Sequence, residues 1–410
     1  MEISRIIQKK EKYRVRSVCW EDEIMKMKKV MAVVLAAAMT MTMAAGCGKE
    51  KENEKSDVIK IGSIGPLTGD AAIYGNDVKG GIEIAIKEIN EAGGINGAKV
   101  ELNFQDDEND PEKAVNAYNN LKDWGMQALL GTVTSTPCLA VSEVAKDDNM
   151  FLLTPSGTVV ECVQYDNAFR VCFSDPTQGV ESAKYIAEKG IAKKVAVIYD
   201  SSMVYSSGIY EAFAKEAKAQ GLDVVAAEAF TSENNKDFSV QLQKAKDAGA
   251  ELVFLPFYYS EASLVLKQAA NMNYAPIFFG CDGMDGILGV EGFDANLANN
   301  LMFLSPFTPT SEDEAVQHFV KAFEEAYGHT PNQFAADAYD GMYALKAAME
   351  KGEVKVDMSA TDVCEALKKA MTEITIDGVT AKSLKWEANG EPEKAPMVVK
   401  IADGDYAVVE

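Results

Sequence analysis

Two short stretches of this sequence combine hydroxyl side chains with a change of chain direction in a way suited to holding an anion. In Gly131-Thr132-Val133-Thr134-Ser135-Thr136-Pro137 a short apolar run gives way to hydroxyl residues and then to a helix start. The first N–H groups of a helix have no partner inside it, so they and the Ser135 hydroxyl can meet a negative group. An ordinary helix cap would use the same residues. Thr154-Pro155-Ser156-Gly157-Thr158 likewise closes an apolar run, with two hydroxyls spaced by a glycine. A hydroxyl-rich turn is the plainer alternative there.

Other chemistries find little support. Only two histidines exist, His318 and His329, and Arg170 is the single arginine beyond Cys47. Acid–base, metal and Ser-His catalysis usually need a histidine beside the reacting group. His318 falls in a helical pattern and His329 in a Gly-His-Thr-Pro turn, so both read as surface positions. There is no Gly-x-Ser-x-Gly elbow, phosphate loop, Gly-x-Gly-x-x-Gly or His-Glu-x-x-His. Cys138, Cys162, Cys172, Cys281 and Cys364 are odd in number and scattered, without disulfide or metal spacing. Neither a cofactor nor a metal is therefore expected.

Beyond Cys47, 31 lysines and arginines face 58 aspartates and glutamates, a net charge of −27. So acidic a chain repels nucleic acid and anionic membrane faces. The lone arginine lies in Phe169-Arg170-Val171, a strand pattern, and cannot serve as a bidentate carboxylate clamp in a cleft. A bound carboxylate must then meet neutral donors. That fits one carboxylate on a ligand with a neutral side chain and disfavours glutamate and phosphates.

The elements that would position these residues are strands and helices in alternation. Val58 to Ile64 alternates and stops at Gly65-Pro66, and Val78, Ile82, Ala85, Ile86 and Ile89 repeat at helical spacing until Gly93-Gly94. Strands are expected at Lys99–Gln105, Ala128–Gly131, Phe151–Thr154, Lys194–Tyr199, Val224–Phe230, Leu252–Phe257 and Ile277–Phe279, with a helix at Pro111–Trp124. Repeated units of this kind imply an α/β fold with parallel sheets covered on both faces. More than about 300 residues of them exceed one comfortable core, so two lobes are expected. The chain should cross at the polar turn cluster Ser174–Gly179 and return near Ser305–Pro309.

The front of the chain reads as an address. Residues 1–26 look like an upstream start-site extension, and residues 27–46 like a secretory signal with a basic start and an apolar run. The run falls short of the roughly 20 residues that span a bilayer. Ala44-Ala45-Gly46-Cys47 resembles a lipobox, with Ala44 where leucine is more usual, which makes Cys47 the expected lipidation site. The charged residues 47–56 have nothing to bury and read as a tether.

A larger resemblance runs through the chain. Gly65-Pro66-Leu67-Thr68-Gly69, Tyr74-Gly75, Gly93-Gly94-Ile95-Asn96-Gly97, Asp106-Asp107 and Asp110-Pro111 come first, in that order. Leu153-Thr154-Pro155, Phe169-Arg170, Asp175 with Gln178-Gly179, and Lys236-Asp237-Phe238 follow. Across nearly all of residues 57–390 the sequence resembles the leucine/isoleucine/valine-binding family of ABC-transporter solute receptors. The resemblance implies a type I periplasmic-binding fold, two doubly wound parallel-sheet lobes joined by a three-crossover hinge that close on ligand like a flytrap. Lobe 1 would comprise 57–175 and 307–388, and lobe 2 would comprise 176–306 and 389–410. It implies a monomeric receptor rather than an enzyme, capturing a neutral amino acid of branched-chain type for the permease subunits of an importer. Another small solute, such as an amide or aromatic acid, or a sensor role is the competing reading.

By the same resemblance Ser135, Ser156 and Thr158 meet the ligand's carboxylate and backbone, the Thr158 amide donating to the carboxylate and its hydroxyl accepting from the ammonium. Asp282 falls where the family carries an acidic ammonium partner, commonly glutamate; a turn aspartate is the plainer reading, and Asp285 is a rival. A desolvated ammonium without such a partner would be strongly disfavoured. Tyr205 corresponds to a tyrosine that contacts ligand from the second lobe. Tyr74, Tyr258 and Phe334 match side-chain walls, with core packing as the alternative and Tyr259 as a rival of Tyr258. The relatives' short disulfide near the cleft cannot form, since Asn109 and Thr134 stand at the matching positions.

Overall fold

Strand β1 (Val58–Gly65) opens the structure, a computed structural model that describes residues 58–409. Cys47, the signal at 27–46, residues 1–26 and the tether at 47–56 lie outside the described residues. Helix α1 (Ala72–Glu91) follows, then β2 (Lys99–Asp106), α2 (Pro111–Trp124), β3 (Ala128–Leu130), α3 (Ser135–Asp147), β4 (Leu152–Thr154) and β5 (Ala168–Arg170). These five strands form one parallel sheet in the order β2-β1-β3-β4-β5.

The chain then builds a second sheet. Its elements are α4 (Asp175–Glu188), β6 (Lys194–Asp200), α5 (Val204–Ala219), β7 (Asp223–Phe230), α6 (Ser239–Asp247), β8 (Leu252–Leu255), α7 (Tyr259–Asn271), β9 (Ile277–Gly280) and β10 (Met302–Ser305). After β10 the chain returns to the first sheet with α8 (Glu314–Tyr327), α9 (Gln333–Lys351) and α10 (Ala360–Met371). It crosses a third time to end in β11 (Met397–Ala402) and β12 (Asp405–Val408), giving the order β12-β11-β10-β9-β8-β6-β7.

Burial on both faces explains why the central strands read as apolar runs rather than as alternations. Ile59 and Ile61 of β1 share a core with Val78 and Ile82 of α1 and Ala338 and Met342 of α9. Leu129 and Leu152 face the other way, joining Leu121 of α2 and Val141 of α3. In β8, Val253 and Leu255 belong to the first of these cores and Leu252 and Phe254 to the second.

Several recurring polar and glycine residues have local tasks. Asp106 closes the loop after β1, accepting from Leu67 N at 2.9 Å and from the Thr68 hydroxyl at 2.8 Å. Asp110 caps α2 by accepting from Lys113 N at 2.9 Å, with Pro111 in the first turn. A Cβ at Gly75 would lie 1.9 Å from the Pro66 carbonyl oxygen, so only glycine lets α1 start this close to β1.

Three expectations change. Ser174–Gly179 is not a turn: Ser174 is an extended N-cap and Asp175 and Pro176 open α4, because proline suits a helix's first turn. The strand expected to reach Phe257 ends at Leu255, where Pro256 has no N–H for a ladder. The second sheet is not wholly parallel, since β11 runs antiparallel to β10 and β12 antiparallel to β11.

Candidate ligand-binding site

Both sheets have their strand-order reversal at the same place, β1 beside β3 in one and β6 beside β8 in the other. Loops leaving the carboxyl ends of strands diverge at such points and leave a crevice. Tyr74, Ser135, Ser156 and Thr158 follow β1, β3 and β4; Tyr205, Tyr258 and Asp282 follow β6, β8 and β9. The structure brings all seven, together with Phe334 from the first turn of α9, around one tight space.

The first-sheet side is a set of hydroxyls and amides fixed by one another. Ser135 Oγ accepts from Thr158 N at 3.2 Å and from Val159 N at 3.4 Å. With its oxygen occupied, that hydroxyl has its proton to give. Thr158 Oγ1 lies 3.3 Å from Ser135 Oγ, and Ser156 Oγ donates to the Val133 carbonyl at 2.6 Å. Thr154 Oγ1 accepts from Gly157 N at 2.8 Å and donates to the Thr132 carbonyl at 2.6 Å.

Arg170 stands behind this loop, wholly buried. Its guanidinium donates to the carbonyls of Gly157 at 2.8 Å and of Val159 and Val160 at 3.0 Å each, and its Nε lies 3.2 Å from Glu391. The only arginine of the described residues thus props the hydroxyl loop from outside the cavity.

The second-sheet side carries charge. Asp282 is 3 % exposed; Tyr205 donates to its Oδ1 at 2.6 Å and Gly283 N at 2.8 Å. Burial raises the carboxyl to about 6, against the opposing pull of the Tyr205 hydroxyl. Burial and the neighbouring Asp282 push the Tyr205 phenol up, so it stays a donor. Gln178 fixes the loop by accepting from Asp282 N at 2.9 Å.

Of the two aspartates, only Asp282 borders the cavity. Asp285 accepts from the Tyr406 hydroxyl at 2.5 Å and from Gln333 N, at the start of α9, at 2.8 Å. Tyr258 likewise lines the space, whereas Tyr259 packs on the far side of Tyr74 with ring centroids 4.8 Å apart and accepts from Ile73 N at 3.2 Å. Tyr74 bridges the two sides, donating to the Gly283 carbonyl at 2.6 Å while its ring meets Phe334 at 4.4 Å and Tyr258 at 5.2 Å.

Three wall residues were not anticipated in that role: Val133, Thr134 and Gly283. A Cβ at Gly283 would come 2.8 Å from the Tyr205 hydroxyl, so glycine keeps that wall open. His318 and His329 lie outside the cavity, each 2.9 Å from a carboxylate of α1, Glu88 and Asp77 respectively. Among the described residues no group of histidines, cysteines and carboxylates could hold a metal ion, and the five cysteines are free and buried.

Known proteins share this fold and sequence pattern. Residues 58–405 match the family described as periplasmic binding protein. A Leu/Ile/Val-binding protein homolog of Brucella melitensis is 31 % identical over 315 residues, covering 76 % of this chain and 83 % of the relative. The leucine-, isoleucine-, valine-, threonine- and alanine-binding protein of Pseudomonas aeruginosa is 30 % identical over 316 residues, with the same coverage. The branched-chain amino acid transporter substrate-binding protein LivJ of Streptococcus pneumoniae, solved with isoleucine, superposes with a TM-score of 0.79 at 29 % identity, covering 86 % of this chain and 99 % of LivJ. The chain therefore belongs to the periplasmic binding protein family, among its Leu/Ile/Val-binding members.

Proposed function

We propose that the protein is the solute receptor of an ABC importer and that it captures a neutral amino acid of branched-chain type between its two lobes. The observation that carries this reading is the chemical asymmetry of one small cavity, with neutral donors at Ser135 and Thr158 on one side and the Asp282 carboxylate on the other. A zwitterion has that polarity. Its carboxylate would lie on the Ser135 hydroxyl and the Thr158 amide, and its ammonium on Asp282, ionised, and the Thr158 hydroxyl. Its side chain would fill the space walled by Tyr74, Tyr258 and Phe334, with Ser156 holding the loop between them. The names of the relatives support the branched-chain class.

Because the ligand touches both lobes, it favours the closed arrangement over an open one, which is the form a permease can distinguish. Lipidation at Cys47 would keep the receptor on the outer face of the membrane, and a monomer suffices for the task. Among the described residues no helix is long and apolar enough to cross a membrane.

A thermal-shift screen of the twenty amino acids, leucinamide, benzoate and small amides tests the reading. Leucine, isoleucine or valine should raise the melting temperature by an amount that grows with the logarithm of ligand concentration. A shift with benzoate or amides but with no amino acid would overturn it. For the anchor, replacing Cys47 by alanine should move the exported protein from the membrane fraction to the medium or periplasm.

A further inference from the structure

The Thr134 hydroxyl is buried, borders the cavity, and is without a hydrogen-bond partner among the described residues. Buried hydroxyls are rarely left so, and one at this position has an obvious local option. Thr134 is the N-cap of α3, and an N-cap hydroxyl ordinarily accepts from the second or third N–H of its helix. Here the third residue is Pro137, which has no N–H, and the structure has no bond from Thr136 either. The sequence thus takes away the usual partner and leaves the hydroxyl unpartnered on a residue that, like its neighbour Ser135, lines the cavity.

The helix start supplies the second half of the argument. Ser135 Oγ is already occupied by two amides, so it can give one hydrogen bond, and a carboxylate with two oxygens can accept more than that. Arg170 does not help, since it lies outside the cavity, with its guanidinium donating to three carbonyls and its Nε beside Glu391. A further neutral donor on the same wall is what a carboxylate lacking a guanidinium requires.

We infer that Thr134 is a specificity-determining residue that donates its hydroxyl hydrogen to the ligand's carboxylate beside Ser135. This rests on the amino-acid reading given above. The assignment distinguishes an amino acid, with an ionised carboxylate, from its amide, with one neutral carbonyl.

The test is calorimetric titration of the full chain and its Thr134→Val, Thr134→Ser and Ser135→Ala variants with L-leucine and with L-leucinamide. Valine keeps the shape and removes the hydroxyl. Thr134→Val should weaken leucine about ten- to hundredfold, the scale of a hydrogen bond to a charged group, and leucinamide several-fold less. Thr134→Ser should bind leucine close to the parent. An unchanged leucine affinity in Thr134→Val, or an equal loss for leucine and leucinamide, overturns the assignment. If Thr134→Val is unchanged while Ser135→Ala loses leucine, the role of Thr134 fails and the amino-acid reading stands. If the parent chain binds no leucine or other amino acid, both fall together.

Discussion

The two sides of the cavity are built by different physics. On the first-sheet side the polar groups are neutral and lock one another: Ser135 with the Thr158 and Val159 amides, Ser156 with the Val133 carbonyl, Thr154 with Gly157, and Arg170 bracing the loop from behind. On the second-sheet side a single carboxylate, Asp282, is held by Tyr205, Gly283 and Gln178 and sits high on the pH scale because it is buried. On the proposed reading the first side resists change by redundancy, since a ligand oxygen that loses one dipole would still have others. The second side concentrates its contribution in one group.

The largest effect should therefore come from Asp282. Asp282→Asn keeps the shape and removes the charge, leaving a bound ammonium buried and unpaired, which corresponds to about 3–5 kcal/mol, or roughly two to four orders of magnitude in Kd by calorimetry. A loss under threefold would mean that the charged side is not where the ammonium lies.

Ser135→Ala comes next. It removes one donor to the ligand and also strands the Thr158 and Val159 amides, so affinity should fall by about 1–3 kcal/mol. A loss as deep as that of Asp282→Asn would erase the contrast between distributed and concentrated binding.

Tyr74→Phe is expected to be milder. It deletes the hydrogen bond to the Gly283 carbonyl that joins the two sides, at about 1 kcal/mol, and should weaken leucine and isoleucine equally because the ring remains. Different losses for the two ligands would place the hydroxyl in the side-chain pocket instead.

The pH dependence separates the sides without mutation. Asp282, Asp285 and Asp337 are each raised by burial to about 6 from an ordinary 3.8, so the folded state holds their protons more tightly than the unfolded one. The contribution of these three carboxyls to the stability of the unliganded protein should then fall as pH rises from about 4 to about 6. Ligand affinity should move the opposite way over part of that range, because an ammonium needs Asp282 ionised, and should weaken below pH 6. Melting curves at pH 5 and 7, with and without leucine, check both signs. A leucine-induced shift that is equal at the two values would contradict the role of Asp282.

Much of this was legible in the sequence, and the remainder was hidden for identifiable reasons. Ser135, Ser156 and Thr158 stand out because hydroxyls directly after short apolar runs mark strand ends, and strand ends line the crevice of such sheets. The choice between Asp282 and Asp285, or Tyr258 and Tyr259, depends on which way successive side chains leave a tight turn or a helix start, and spacing does not encode that. Arg170 could be excluded as a carboxylate clamp from its strand context, but its support of the 157–160 loop arises only when the chain folds back on itself. The same holds for Lys394, buried against Asp337 and the Val171 carbonyl where the chain makes its third crossing. Strand β11 escaped notice because its pairing with β10 joins segments about ninety residues apart, and β12 pairs only with β11.

The most direct test of the central claim is a crystal structure of the protein with L-leucine. The account predicts the carboxylate within hydrogen-bonding distance of the Ser135 hydroxyl and the Thr158 amide, and the ammonium against Asp282. Leucine bound with its carboxylate toward the second sheet, or at a site away from these residues, would contradict it.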